Sequence, residues 1–297
     1  MTMTATPSRF VLFARDIKIS HTIFAMPWAL LATFLAAGAS PRLLQLALIV
    51  LCMIFARTVA MSSNRLLDAE LDAKNSRTAS RALPSGKLSR NFYLAILTAC
   101  GLAFIAATSL FWFVYHNLWP IALSIPVLLF LAAYPLLKRF TQFCHYYLGA
   151  ALALAPICAW LAIAGHLAIE PLLMFAAVLL WTAGFDIIYA CQDFSSDLQT
   201  GVFSIPAKIG IPRALWIARL THVLSFTAMI LLGLYSPQLR TLYFLGVAAA
   251  GALLIVEHSL VKPTDLSKVG LAFFTMNGII SVLLGSLGIA DVLIHSR

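Results

Sequence analysis

The sequence predicts an all-α, polytopic membrane protein, a single domain over residues 1–297 in which about nine transmembrane helices surround a central cavity and carry a weak internal repeat. Three observations predict it. Hydrophobic residues make up 62% of the chain and charged residues only 10%, whereas a soluble domain carries roughly a quarter charged residues, so the surface must face lipid. Nine stretches are apolar over the length of about 20 residues that crosses a hydrocarbon core roughly 30 Å thick. The basic residues are partitioned between alternate loops, and no loop is long enough to fold alone.

The first stretch, 20–40, ends in Ala36-Ala37-Gly38-Ala39-Ser40. Those small residues suit a signal-peptide cleavage site, but the apolar run is long and starts late, so a retained helix is expected. The second, 43–66, runs into the polar segment 67–91. The third to sixth follow at 92–113, 118–137, 143–165 and 169–190, and the sixth opens onto a second polar segment at 191–211. The last three are 212–235, 241–257 and 269–294.

With nine spans, Arg9, Arg15, Lys18, Lys74, Arg77, Arg81, Lys87, Arg90, Lys138, Arg139, Lys208, Arg213, Lys262 and Lys268 fall on the side of the N-terminus. Arg42, Arg240 and Arg297 fall on the other side, and Arg57, Arg65 and Arg219 lie within spans. This asymmetry is the positive-inside pattern, which places the N-terminus and both polar segments in the cytoplasm. The formal charge of +9 therefore reports topology, and no nucleic-acid partner is expected. Cys52, Cys100, Cys144, Cys158 and Cys191 contain no CxxC pair and lie in or beside apolar spans, so they read as packing residues.

Six of the eleven acidic residues gather in two places: Asp68, Glu70 and Asp72 after span two, and Asp186, Asp193 and Asp197 at the end of span six. Carboxylates at a membrane are expensive, so clustering is informative. Asn64, Asp68 and Asp72 recur every fourth residue, as do Tyr189, Asp193 and Asp197. Each set closes an even-numbered helix, which suggests a repeat of four helices plus a loop with the two ends facing each other. Residues four apart share a helix face. Two carboxylates held together repel unless a cation lies between them, and hard oxygen ligands without Cys or clustered His select Mg²⁺, which completes its shell with water and phosphate oxygens. Arg77 and Arg81 follow at once, again four apart, and guanidinium forks suit phosphate. Acids for metal beside arginines for phosphate point to a diphosphate site.

These segments carry a resemblance. NRLLDAELDAKNSRTASRALPSG (64–86) and DIIYACQDFSSDLQTGVFSIPAKIG (186–210) resemble the two signatures of the UbiA superfamily of membrane prenyltransferases. YPLLKRFT (134–141) is similar to the family's segment at the end of the fourth helix. The spacing fits nine helices over nearly the whole chain, and the match is specific above all to the 4-hydroxybenzoate polyprenyltransferase branch and its menaquinone-pathway relatives. The resemblance implies that Asn64, Asp68 and Asp72 bind one Mg²⁺, that Asp193 and Asp197 bind a second, and that Arg77, Arg81 and Lys138 hold the diphosphate. Tyr134, Tyr189 and Gln192 would line the pocket, and Asp186 would orient that shell or assist the aromatic acceptor. Lys18 and His21 are candidates for the carboxylate of an aromatic acid. The implied partners are a polyprenyl diphosphate, an aromatic acid acceptor and membrane lipid, and the implied location is the bacterial inner membrane. One position departs: ubiquinone-type members carry Asp after the first Asn, whereas this chain has Arg65, which looks like branches with other acceptors.

The expected reaction moves the prenyl group from its diphosphate to an aromatic acid, most simply 4-hydroxybenzoate, with a naphthoate acceptor as the alternative. Two other classes fit less well. A CDP-alcohol phosphotransferase would carry Asp-Gly and Ala-Arg upstream of its acids, which this chain lacks. A transporter would place its carboxylates at the midplane, not at helix ends. Trp28, Trp112, Trp119, Trp160, Trp181 and Trp216 read mostly as interface anchors, with Trp181 also able to face a prenyl tunnel. Glu257 and Asp291, isolated acids, are expected to be structural or interfacial.

Overall fold

The computed structural model describes residues 8–295. Arg297, counted above in the charge partition, lies outside them. Among the described residues there is no strand, only an isolated bridge between Lys262 and Asp265, and nine helices are long and apolar enough to cross a membrane. A chain in lipid must satisfy its backbone hydrogen bonds within each segment, which leaves the helix as the default for an apolar run.

A short amphipathic helix, α1 (Arg9–Asp16), capped by Ser8, precedes a 3₁₀ turn at Ile19–Phe24 and α2 (Met26–Ala37), which has Pro27 in its first turn and ends at Gly38 with φ +65°. Then come α3 (Leu43–Lys74), α4 (Arg90–Tyr115), α5 (Trp119–Leu137), α6 (Cys144–Ala164) and α7 (Ile169–Ala190). A 3₁₀ turn at Cys191–Asp193 separates α7 from α8 (Phe194–Thr200), and α9 (Ile205–Ile209) leads into α10 (Ile211–Tyr235). The chain ends in α11 (Thr241–Leu260), the short α12 (Val269–Leu271), a π-helical turn at Ala272–Met276 and α13 (Asn277–His295).

The expected spans match these helices closely, with one extension. The second stretch was expected to end at 66, but α3 runs to Lys74 without a break. At 1.5 Å per residue its 32 residues reach roughly 48 Å, so its last two turns pass beyond the apolar layer and carry the first acidic set out of it.

Phe24, Trp28, Met174, Trp181, Met229, Tyr243, Ile280 and Leu284 belong to the largest hydrophobic cluster, joining α2, α7, α10, α11 and α13. The cluster also reaches α3, α4 and α6 through Leu48, Ile49, Phe111 and Trp160. Close helix approach depends on small residues, as is usual between membrane helices. A Cβ on Gly149 of α6 would stand 2.3 Å from the Leu179 carbonyl oxygen of α7, and one on Gly285 of α13 would stand 2.5 Å from Pro27. A second cluster, including Ile187, Ile205, Leu215, Val261 and Val269, fixes the end of α7. A third, of Phe13, Ile17, Leu66, Leu88 and Tyr93, docks α1 onto α3 and α4.

The tryptophans divide evenly, which corrects their reading as mostly interfacial. Trp112, Trp119 and Trp216 are exposed, whereas Trp28, Trp160 and Trp181 are buried. Trp181 neither anchors an interface nor faces the cavity, because its Nε1 donates to Asn277 Oδ1 at 2.6 Å and Asn277 Nδ2 donates to Glu257 Oε1 at 2.9 Å. Of the structural and interfacial roles expected for Asp291, the contacts show the structural one: Oδ2 accepts the N–H groups of Arg240 and Tyr243, both at 2.7 Å, at the start of α11, where a helix presents unpaired donors. The five cysteines are free thiols.

Candidate active site

Between α3, α4, α5, α6 and α7 lies a cavity of about 450 Å³. One end is polar and is built from the C-terminal turns of α3 and α7. The rest is apolar, walled by residues such as Met53, Phe104, Phe111, Leu123, Val127 and Leu152, and reaches Trp119 at the opposite end of α5.

At the polar end both acidic sets meet, and each of three carboxylates is matched to a cation. Lys138 Nζ donates to Asp68 Oδ2 at 2.7 Å. Arg81 Nη1 reaches both oxygens of Asp72 at 2.8 and 2.7 Å. Arg77 grips Asp193 through Nε at 3.0 Å and Nη2 at 2.6 Å, while Asn75 Nδ2 donates to the same carboxylate at 2.9 Å. The loop after α3 is thereby tied to the end of α7. Burial works against the Arg77 charge, but its bonds to Asp193 outweigh this and hold the guanidinium above its ordinary pKa. Arg77 also donates to the Tyr189 hydroxyl at 2.9 Å, with its Cζ 5.2 Å from that ring's centre.

Asp197 accepts from Ser204 Oγ at 2.7 Å. Asp186 Oδ2 lies 2.7 Å from His145 Nδ1, and the Ile205 N–H donates to His145 Nε2 at 3.2 Å. With Nε2 accepting, the ring proton belongs on Nδ1 and is donated to Asp186.

The cavity also brings in Asn64, Tyr134, Lys18 and His21. Tyr134 turns its hydroxyl towards Met61 Sδ at 3.9 Å. His21 packs its ring against Phe24, Phe273 and Phe274 at 5.3, 5.6 and 5.0 Å. Phe273, carried on the π-helical turn, continues this wall to Tyr189, 4.3 Å away centre to centre. Lys18 stands in the left-handed region at φ +49°. Burial, followed by the charges of Arg81, Arg77 and Arg65, lowers its pKa.

Gln192 does not line the cavity, contrary to expectation. The 3₁₀ turn at Cys191–Asp193 changes the phase of the chain after α7, so Gln192 is exposed and its Nε2 turns back to the Tyr189 carbonyl at 3.3 Å. The same turn interrupts the helical register expected to link Tyr189, Asp193 and Asp197.

Three residues escaped the sequence reading. Arg57, in the middle of α3, lines the cavity, donates to the Lys18 carbonyl at 2.9 Å and keeps a buried Nε without a partner. A charge within an apolar span is itself a functional signal. Asp16, the first acidic residue in the chain, accepts Arg65 Nε at 2.9 Å, the Tyr93 hydroxyl at 2.6 Å and the Ala82 N–H at 2.8 Å. His145 gave no signal beyond being a polar residue at the start of a span.

Among the described residues no three His, Cys, Asp or Glu side chains converge as a ready-made metal site. The donor set still fits a hard cation. Asp68 Oδ1 is buried with no hydrogen-bond partner, and such an oxygen is costly unless something positive completes it. Mg²⁺ draws on one or two carboxylates, water and phosphate oxygens and does not need a complete protein cage.

Comparison with known proteins identifies the family. The UbiA prenyltransferase family model matches residues 25–279. The chain is 30% identical over 265 residues to the 4-hydroxybenzoate octaprenyltransferase of Photobacterium profundum, covering 89% of each protein. It is 30% identical over 273 residues to that of Aeromonas salmonicida, covering 90% of each. Among solved structures, the apo UbiA homolog from Aeropyrum pernix K1 superposes with a TM-score of 0.82 at 28% identity, over 92% of this chain and 98% of the other. A UbiA homolog from Archaeoglobus fulgidus bound to GPP and Mg²⁺ shares the fold, with a TM-score of 0.72 at 20% identity over 95% of this chain and 99% of the other.

Proposed function

The chain belongs to the UbiA prenyltransferase family, and we propose that it transfers a polyprenyl group from an allylic prenyl diphosphate to an aromatic acid, 4-hydroxybenzoate, in respiratory quinone biosynthesis. The observation that carries this reading is the set of carboxylate–cation pairs at the mouth of a long apolar cavity. Its relatives' name supports the acceptor.

Asp68, Asp72, Asp193 and Asp197 would hold Mg²⁺, in two ions on this reading. When bound, Mg²⁺ neutralises charge on the departing diphosphate. Lys138, Arg81 and Arg77, which pair with Asp68, Asp72 and Asp193, would on this reading give those carboxylates up to the metal and bind phosphate oxygens instead. The pairs gather both sets of groups at the mouth of the cavity, where the diphosphate would bind. The prenyl chain lies along the apolar wall, away from water. Tyr134, Tyr189 and Phe273 present ring faces to the allylic cation, an interaction of up to about 2 kcal/mol when desolvated. Arg57 and Lys18, both facing the cavity, hold the acceptor's carboxylate. Asp186, kept in place by His145, faces the acceptor and receives the ring proton lost as aromaticity returns.

The partition of basic residues supports placing this mouth on the cytoplasmic side, the bacterial sources of the relatives support an inner-membrane location, and on this reading membrane lipid supplies the donor and takes the product. The test is to incubate the purified, detergent-solubilised protein with geranyl diphosphate and 4-hydroxybenzoate, with and without Mg²⁺, and to look for the prenylated acid by mass spectrometry. A Mg²⁺-dependent product that is lost in Asp72→Ala supports the reading. Product with a naphthoate acceptor alone would move the chain to the menaquinone pathway, as Arg65 allows. No product with either acceptor and longer donors would refute the assignment.

A further inference from the structure

The Asn64 amide lies between two neighbours of opposite character. Its Nδ2 donates to Asp68 Oδ2 at 2.7 Å, and its Oδ1 accepts from Arg65 Nη1 at 2.5 Å. An ionised carboxylate only accepts and a guanidinium only donates, so turning the amide over would set oxygen against oxygen and N–H against N–H. One orientation is therefore imposed. The guanidinium that imposes it is itself fixed, since Arg65 is buried and bonds to Asp16 Oδ2 at 2.9 Å and to the Asp16 carbonyl at 2.7 Å. Tyr93 and the Ala82 N–H hold Asp16 in turn.

Oδ1 is the atom through which an asparagine side chain ligates a hard cation. Its remaining lone pair does not solve the problem. At a Mg–O distance of about 2.1 Å the ion would stand roughly 4 Å from the Arg65 nitrogen, with two positive charges facing each other where water screens them poorly. We propose that Asn64 is a positioning residue, locked by Arg65, and that the first metal site of this chain is formed by Asp68 and Asp72 without it. This rests on the magnesium diphosphate reading of the site. Asn64 and Lys138 share Asp68 Oδ2, and Oδ1 of the same carboxylate is left buried and without a hydrogen-bond partner, available to the ion. The Arg at position 65 thus removes an oxygen ligand as well as the extra acid.

The experiment uses the full chain in detergent with Mn²⁺, which takes octahedral oxygen sites like those of Mg²⁺, and inorganic pyrophosphate. Electron–nuclear double resonance is recorded on protein labelled with ¹³C at the side-chain carbonyl of asparagine or, separately, at the carboxyl of aspartate. A ligating group brings that carbon to roughly 3 Å from the metal and gives a resolved coupling. The expected result is a coupling from labelled aspartate, reduced in Asp68→Ala, and none from labelled asparagine. An asparagine coupling that disappears in Asn64→Ala overturns the proposal while leaving the metal site intact. Absence of bound Mn²⁺ overturns both this proposal and the metal reading beneath it. In Asp16→Asn/Arg65→Met, which removes the buried pair as a pair, the asparagine coupling is expected to appear; if it does not, Arg65 is not the lock.

Discussion

Asp16→Ala is expected to destabilise the protein more than the loss of a carboxylate near a chain end would suggest. In the Asp16–Arg65 pair the two side chains are 5% and 2% exposed, so the mutation leaves a guanidinium buried with its charge uncompensated. Breaking one half of a buried pair costs about 3–5 kcal/mol. The Tyr93 hydroxyl and the Ala82 N–H also lose their acceptor, at about 1 kcal/mol or more each, although terms sharing one carboxylate do not add in full. A total of about 4 kcal/mol lowers the melting temperature by roughly 8–16 °C at about 2–4 °C per kcal/mol. Scanning fluorimetry in one detergent measures it. Function should follow, because Ala82 adjoins Arg81 and the anchored loop carries Arg77 as well, so the KM for prenyl diphosphate rises in the folded fraction. Asp16→Asn/Arg65→Met should regain most of the stability, since replacing a buried pair by neutral groups of similar size is often near neutral. A single variant melting within about 2 °C of the parent, less than 1 kcal/mol on this scale, would refute the reasoning, as would a double variant no better than the single.

Three further expectations concern separate parts of the molecule. Gly149→Ala drives a methyl to 2.3 Å from the Leu179 carbonyl oxygen, a backbone atom that cannot swing aside, so α6 and α7 must part at a cost of about 1–3 kcal/mol; an unchanged melting temperature would show that the helices are not in this contact. Arg57→Ala should raise the KM for the aromatic acid about tenfold or more, as expected for losing a hydrogen bond to a charged group, with the KM for prenyl diphosphate little changed, and equal effects on both would remove Arg57 from the acceptor site. Lys18 has a pKa lowered below its ordinary 10.5, by burial first and then by Arg81, Arg77 and Arg65, so it sheds its charge earlier as pH rises. The KM for the acid should therefore climb on an alkaline limb lying below 10.5, Lys18→Arg should abolish that limb, and a limb that survives the substitution belongs to another group.

The spans were legible because each apolar run has to satisfy its own hydrogen bonds in lipid, so length and composition decide it without reference to the rest of the chain. The acidic sets were legible for a similar local reason: Asn64, Asp68 and Asp72 share a face by helical period alone. Even the overrun of α3 to Lys74 follows local preference, because leaving the apolar layer does not end a helix. The pairings were different. Arg77 meets Asp193, Arg65 meets Asp16 and His145 meets Asp186, each across tens of residues, and no local pattern encodes which cation faces which acid. Trp181 read as an interface anchor or a tunnel wall until helix packing gave its N–H a buried Asn277, and Gln192 looked like a pocket residue until a single 3₁₀ turn rotated it outward. Composition and period, which act within one helix, determined how many apolar spans there are and where the charges gather. The angles and contacts between helices depend on side chains far apart in the chain, and those decided which of the gathered groups touch.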